Sequence, residues 1–220
     1  MEPTAPADFS RTWALVPIRG LETAKTRLGE DLDPEERVEL VTRLLRQTLI
    51  ATRDARLVEG TIVVTMDPAA AGIAKELRAV GLVERAPGLN EAIEAARSVA
   101  IARGATAILV LPADLPSVAA ESVDDLLARA GRAATAVADE ASAAVVALVP
   151  DRHGQGTNAL VVSPPDAIAP AFGGRSRETH ERTAVAAGAR YVELEGPLSL
   201  DLDTPADLIA AEAALGSLRG

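Results

Sequence analysis

The chain has 220 residues, 48% hydrophobic and only 2% aromatic, which suits one α/β domain with a core of Ala, Val, Leu and Ile. Its formal net charge of −10 argues against broad nucleic-acid or membrane binding, both of which need a basic field. The absence of cysteine excludes disulfides, thiolate zinc sites and a cysteine nucleophile. Residues 1–10 lack the basic and apolar regions of a signal peptide, and no apolar run reaches membrane-spanning length. A cytoplasmic protein with a flexible tail over residues 1–12 is expected.

Residues 13–18 are a short apolar run and the expected first strand. The loop after it carries Gly20 and three cations, Arg19, Lys25 and Arg27, within nine residues. At the carboxyl end of a strand such a loop suits a polyphosphate, although a solvated basic loop has the same composition. The Walker A pattern is absent. Asp33-Pro34-Glu35-Glu36 is a helix start, and the helix runs to about Thr52 with Val38, Val41, Leu44, Leu45 and Leu49 on one face. A strand over 60–65, a helix over 68–80 closed by Gly81, and a short strand over 82–84 follow. Asn90 then stands at the start of a helix that runs through Arg103.

The unbroken apolar run 107–111 reads as a strand buried on both faces, and Pro112 and Pro116 turn the chain out of the sheet. Asp114 is thereby left just past the strand's carboxyl end, where open α/β sheets bind ligands; a plain helix-capping Asp is the other reading. A helix over 119–129 and strands over 133–138 and 143–149 are expected next. The segment 151–160, with Arg152, His153, Gln155, Thr157 and Asn158 between apolar strands, is either a site or a wide hairpin turn. Pro164-Pro165 marks a break. Phe172-Gly173-Gly174-Arg175-Ser176-Arg177 opens a helix through Ala187, a natural anion site or a loop with a Ser cap. A strand over 191–194 leads to Asp201-Leu202-Asp203 and a last helix over 206–215, with Thr204 as cap, Pro205 at N1 and Asp207 at N3.

Asp114, Asp201 and Asp203 thus fall at the ends of apolar segments. Hard oxygen donors without His or Cys suit Mg²⁺, or Mn²⁺, better than zinc. The Asp-x-Asp spacing puts both carboxylates on one face of an extended segment. With the basic loop as counter-charge, these parts point to a metal-dependent phosphoryl or nucleotidyl transfer site.

Five segments carry a resemblance that covers residues 13 to 215: WALVPIRGLETAKTRL (13–28), LPADLP (111–116), DRHGQGTNAL (151–160), FGGRS (172–176) and LDLDTP (200–205). Together they resemble the phosphoenolpyruvate and 2-phospho-L-lactate guanylyltransferases of coenzyme F-420 biosynthesis. The resemblance implies a Rossmann-like nucleotidyltransferase fold, a GT-A-like three-layer sandwich with a mostly parallel, partly mixed sheet, as a single domain over residues 13–220. It implies transfer of GMP from GTP to a phosphorylated three-carbon acid with release of pyrophosphate. Asp114, Asp201 and Asp203 would hold divalent metal, and Lys25 and Asp114 would be catalytic. Thr157, Gly173 and Ser176 would bind the acid. Arg19, Gly20, Lys25 and Arg27 would meet the GTP phosphates, with Asn90 and Pro112 near the nucleoside. The family often has another, usually small residue where Gln155 stands, and Gly174-Arg175 also varies beside the acid pocket, so the acceptor stays open among phosphoenolpyruvate, 2-phospho-L-lactate and 3-phosphoglycerate. The Ala- and Arg-rich composition, that of a high-GC bacterium, favours phosphoenolpyruvate. The product, being unstable, would pass to a downstream transferase. A sugar phosphate or molybdopterin acceptor on the same fold, or a non-catalytic nucleotide-binding homologue, are the competing readings. The oligomeric state is not encoded in any motif.

Overall fold

The computed structural model describes residues 7–25, 28, 32–84, 88–135 and 144–215. The elements alternate as β1 (Thr12–Pro17), α1 (Pro34–Asp54), β2 (Val58–Thr65), α2 (Pro68–Glu76), β3 (Val80–Val83), α3 (Leu89–Ala102), β4 (Ala107–Val110) and α4 (Ala120–Thr135). There follow β5 (Val145–Pro150), β6 (Thr157–Ser163), α5 (Ser176–Ala186), β7 (Arg190–Glu193), a 3-10 turn (Pro197–Ser199) and α6 (Pro205–Leu215). One seven-stranded sheet has the order β3-β2-β1-β4-β6-β5-β7. All its pairings are parallel except the two made by β6, which runs against β4 and β5.

Helices cover both faces, giving the three-layer α/β sandwich that the sequence implies. Trp13, Leu15, Ile62, Val64, Ile108 and Val110 face α3 and α5 through Ile93, Ala96, Ala100 and Ala184. The alternate residues face the other side. Val16 and Val63 meet α1 and α2, while Leu109 and Val161 meet α1 and α4. Small Ala and branched Val let helices lie close on the sheet, so few aromatics are needed. A fourth cluster joins Leu28, Leu40 and Leu44 to Leu202, Leu208 and Ala211 and thereby seats α6 on α1. Among the described residues no helix is long and apolar enough to cross a membrane.

The strand order sets the position of the site. From β1 the chain moves outward through α1 to β2 and β3, then returns through α3 to β4 on the other side of β1. The crevice lies outside the carboxyl ends of β1 and β4, where the order reverses. Because β6 is reversed, its first residues lie at that same edge, beyond the Val110–Leu160 pairing. The reversed strand therefore brings Thr157 and Asn158 to the edge that Pro17 and Leu111 leave.

α1 starts as its sequence predicts: Asp33 accepts from the N–H of Glu35 and Glu36, and Glu36 reaches back to the N–H of Asp33. Four boundaries differ from expectation. The expected tail is tied down from Asp8 onward, since the Asp8 N–H donates to Ser163 Oγ at 2.8 Å and Phe9 packs against the α4 face. Residues 1–6 lie outside the described part. The helix expected over 68–80 ends at Glu76, because Arg78 takes the left-handed conformation (φ 65°). The Ala79 N–H returns to Ala74 O at 2.8 Å and the Arg78 N–H to Lys75 O at 3.1 Å, the Schellman pattern with Arg where Gly is usual. Gly81 lies inside β3 instead, and its role is close approach: a Cβ there would stand 2.5 Å from the Ala71 carbonyl oxygen of α2. Finally, α4 continues to Thr135, so the strand expected from Ala133 is helix where described, in keeping with the propensity of its Ala-rich run. The rest of that expectation, 136–138, lies outside the described residues.

Replacing Gly81 with Ala forces α2 off the sheet. Chemical denaturation should show a loss of about 1–3 kcal/mol, the usual range for overpacking. An unchanged midpoint would mean that α2 shifts without cost.

Candidate active site

At the carboxyl end of β1 the chain turns sharply and is held by α2. The Leu21 N–H donates to Asp67 Oδ2 at 2.9 Å, while Asp67 also caps α2 through the Ala69 N–H. Ala24 closes the turn onto Gly20 O at 3.1 Å, and Lys25 then adopts φ 56°. This path carries the Lys25 side chain inward, where Nζ lies 2.6 Å from Asp114 Oδ2 and 2.7 Å from Asp203 Oδ1. Burial alone would lower the Lys25 pKa, but the charges of Asp114 and Asp203 outweigh it and raise the pKa. The cation expected on the phosphates thus stands between two of the expected metal carboxylates. Arg19 is exposed and has no ion-pair partner among the described residues. Arg27 lies outside them.

The two carboxylates come from distant parts of the chain and are brought together by backbone. The Leu202 N–H donates to Asp114 O at 3.1 Å, and Leu202 is fully buried against α1. The Asp-x-Asp alternation then leaves Asp201 and Asp203 on the opposite side from Leu202. Asn158 donates through Nδ2 to Leu198 O at 3.1 Å and lies 3.4 Å from Asp201 Oδ1. Burial, together with the neighbouring charges of Asp114 and Asp203, raises the Asp201 pKa.

The segment is anchored from behind by Asp207. Its carboxylate accepts from the N–H of Asp203 at 3.0 Å and from Thr204 N–H and Oγ1 at 2.6 and 2.8 Å. Arg152 pairs with the other oxygen at 2.5 Å. Burial opposes ionisation of Asp207, but these hydrogen bonds and the Arg152 charge prevail and lower its pKa. The Thr204 cap expected from sequence is thus made reciprocal by Asp207, and the same bonds fix Asp203.

Beside this cluster lies a loop of small and hydroxyl residues. The backbone of 151–156 is the hairpin connection between β5 and β6, as the turn reading of that segment expects. Ser176 Oγ lies 3.0 Å from Thr157 Oγ1, and His180 Nδ1 lies 3.1 Å from the same atom. The Ala171 N–H donates to His180 Nε2 at 3.0 Å. Asn90, expected near the nucleoside, clamps this loop: its Oδ1 accepts the Phe172 N–H at 2.7 Å and its Nδ2 donates to Phe172 O at 3.0 Å. Gly88, not Asn90, is at the N-cap of α3. Gly173 has φ 131° and open space where a Cβ would stand, so conformation rather than crowding calls for glycine. Arg175, in the left-handed region, holds the N-cap position of α5 and makes no side-chain cap, which leaves the Ser176 hydroxyl to Thr157.

Between β1, β2 and α3 opens a cleft of about 980 Å³ lined by Arg19, Lys25, Glu84, Leu89, Asp114 and Asp203, with a smaller pocket at Pro112 alongside. It has room for a nucleotide.

Residues 12–211 match a family model described as "Guanylyl transferase CofC like". The chain belongs to this guanylyltransferase family. It is 40% identical over 210 residues to a phosphoenolpyruvate guanylyltransferase of Sphaerobacter thermophilus, covering 94% of this chain and 96% of that protein. It is also 40% identical over 205 residues to one of Rubrobacter xylanophilus, covering 93% and 95%. Among solved structures, a putative nucleotide-diphospho-sugar transferase from Desulfovibrio desulfuricans superposes with a TM-score of 0.66 at 15% identity, covering 88% of this chain and 82% of that one. At that identity the last likeness concerns the fold.

For this guanylyltransferase the motifs chosen from sequence fall into two adjoining groups. Lys25, Asp114 and Asp203 meet at the crevice, with Arg19 and Pro112 lining it, Asp201 close to the two carboxylates, and Gly20 buried in the turn against Thr23 and Asp67. Thr157, Gly173 and Ser176 form the neighbouring loop. Sequence reasoning passed over His180, Asp67 and the hydrogen bonds of Asn158. Only His180 left a signal, standing four residues after Ser176 and so on the same face of α5.

His180 is fully buried, and burial depresses its pKa to about 4 from 6.5. In the unfolded chain it takes up a proton near pH 6.5, but in the folded chain only near 4. The stability linked to this group is therefore complete above pH 6.5 and lost as pH falls from there to about 4. The loss should amount to about 3 kcal/mol. Denaturation of wild type and His180→Asn across that window should show the difference between them narrowing by this amount. A constant difference would place the His180 pKa near its ordinary value.

Proposed function

We propose that this chain joins GMP from GTP to phosphoenolpyruvate and releases pyrophosphate, a step toward coenzyme F-420. The observation that carries the proposal is the Lys25 ammonium held between Asp114 and Asp203 at the sheet's switch point, opening on a nucleotide-sized cleft. The choice of acid follows the curated relatives, whose names specify phosphoenolpyruvate.

In the reaction an oxygen of the acid's phosphate attacks the α-phosphorus of GTP. A new P–O–P bond forms as the bond to the β-phosphate oxygen breaks, and pyrophosphate leaves. Both reactants are anionic, so the site must offset their repulsion and hold them in line. Lys25 and Arg19 provide positive charge on the cleft side. Thr157, Gly173 and Ser176 offer hydroxyl and backbone donors for the acid.

The donor set Asp114, Asp201 and Asp203 is all oxygen, which fits Mg²⁺ or Mn²⁺. Among the described residues no closed group of three metal-ligating side chains is formed. An ion held there would have to complete its shell with substrate phosphates and water. When bound, the ion would neutralise charge on the phosphates. Lys25, already paired to Asp114 and Asp203, would keep those carboxylates from repelling one another before it arrives. The labile product would be passed to a downstream transferase.

The test is pyrophosphate release with GTP and Mg²⁺ in parallel with phosphoenolpyruvate, 2-phospho-L-lactate and 3-phosphoglycerate, and with CTP and UTP in place of GTP. Release with GTP and phosphoenolpyruvate is expected. Release with another acid or nucleotide alone would reassign the substrate, and silence with every pair while nucleotide still binds would overturn transfer. Asp114→Asn should lower kcat by about 10²–10³, the range for losing one electrostatic stabiliser. A rate like wild type at saturating substrates would remove Asp114 from the site.

A further inference from the structure

The mechanism above leaves His180 unused, although it is the most buried titratable ring in the molecule and touches the hydroxyl loop directly. We infer that His180 is a positioning residue whose fixed tautomer makes the Thr157–Ser176 hydroxyl pair a hydrogen-bond donor toward the anionic acid. The inference rests on the guanylyltransferase reading, in which this pair meets the acid.

A count of protons carries it. A backbone N–H can only donate, so His180 Nε2, which receives the Ala171 N–H at 3.0 Å, holds a lone pair and no proton. The ring proton is then on Nδ1 and points at Thr157 Oγ1, 3.1 Å away. Thr157 Oγ1 accepts it. The hydroxyls of Thr157 and Ser176, 3.0 Å apart, have two protons between them. One is spent between the two oxygens. The other has no acceptor among the described residues, although Thr157 is 7% and Ser176 2% exposed. A buried donor without a partner is costly and is met when an anion oxygen enters.

The opposite tautomer would invert this. Nδ1 would then accept from Thr157, Ser176 would donate to Thr157, and both hydroxyl protons would be consumed within the protein. The pair would offer only lone pairs to an anionic substrate. The Ala171 N–H therefore decides the polarity of the pocket through the imidazole. Its own position is set by the loop: Phe172 is clamped by Asn90 and stacks edge-on against His180, with ring centroids 5.2 Å apart and planes at 71°. The low pKa of His180 agrees with a ring that stays neutral at working pH.

Two variants separate the two ring nitrogens. An Asn side chain places its amide nitrogen near the Nδ1 position, and a Gln side chain places its amide oxygen near Nε2. His180→Asn keeps the donor to Thr157, whereas His180→Gln keeps only the tie to Ala171. His180→Gln should raise KM for phosphoenolpyruvate on the order of tenfold while KM for GTP is unchanged. His180→Asn should stay within about threefold of wild type by the same scale. Equal losses in both variants, or losses shared by GTP, would reduce His180 to a packing residue. The tautomer is read independently by long-range proton–nitrogen NMR of the ¹⁵N-histidine-labelled wild-type protein, where Nδ1–H is expected. An Nε2–H ring would overturn the inference whatever the variants do. If wild-type protein fails to use the acid at all, the guanylyltransferase reading fails, while the NMR result still settles the tautomer.

Discussion

Asp114 lies midway along the chain and Asp203 near its end, yet they face one another across a partly buried crevice, where two carboxylates would repel strongly. One ammonium, Lys25 Nζ, lies within 2.7 Å of both. Much of the local architecture follows from keeping that triad together. The left-handed backbone at Lys25 turns its side chain inward, and Asp67 pins the loop before it. Leu202 hangs the acidic segment on the Asp114 backbone. A buried ion pair is not in itself a source of stability, since desolvation offsets the attraction. Its value here lies in position: three charged groups are held together at the carboxyl edge of the sheet, beside a nucleotide-sized cleft.

The reversed strand β6 joins this electrostatic centre to a second, nearly neutral one. In an all-parallel sheet its amino end would lie at the opposite edge. Running antiparallel, it begins at the crevice, so Thr157 faces the α5 loop while Asn158, the next residue, reaches Leu198 and Asp201. Two consecutive side chains thus belong to the two halves of the site. The acidic half is braced by Asp207 and Arg152, and the hydroxyl half by Asn90 and His180. In both, a buried polar group satisfied on every side fixes a loop whose own sequence would leave it free.

The chain is strongly acidic as a whole, yet it belongs to a family of guanylyltransferases, whose chemistry joins anions. The two facts are reconciled locally. Lys25 and Arg19 border the cleft, and under the proposed function a divalent cation on the all-oxygen donors would offset the carboxylates of Glu84, Asp114 and Asp203 that line it as well.

Features governed by neighbours in sequence were legible at the start. The apolar run 107–111, the Asp33 cap, the Asp-Leu-Asp alternation and the Thr204 cap all depend on local periodicity and short-range hydrogen bonding, and the structure keeps them. The resemblance supplied the grouping of Thr157, Gly173 and Ser176, which composition and spacing could not. What the tertiary structure alone decided concerns partners far apart in the chain. Whether Arg78 or Gly81 ended α2 depended on how closely α2 lies on β3. That Asn90 would clamp Phe172, 82 residues away, and that Ala171 would fix the tautomer of His180, depended on α3 and α5 packing on the same face of the sheet. A side chain's chemistry is written in the sequence, but its hydrogen-bond partner is chosen by distance and angle in space, and these exist only once the layers have packed.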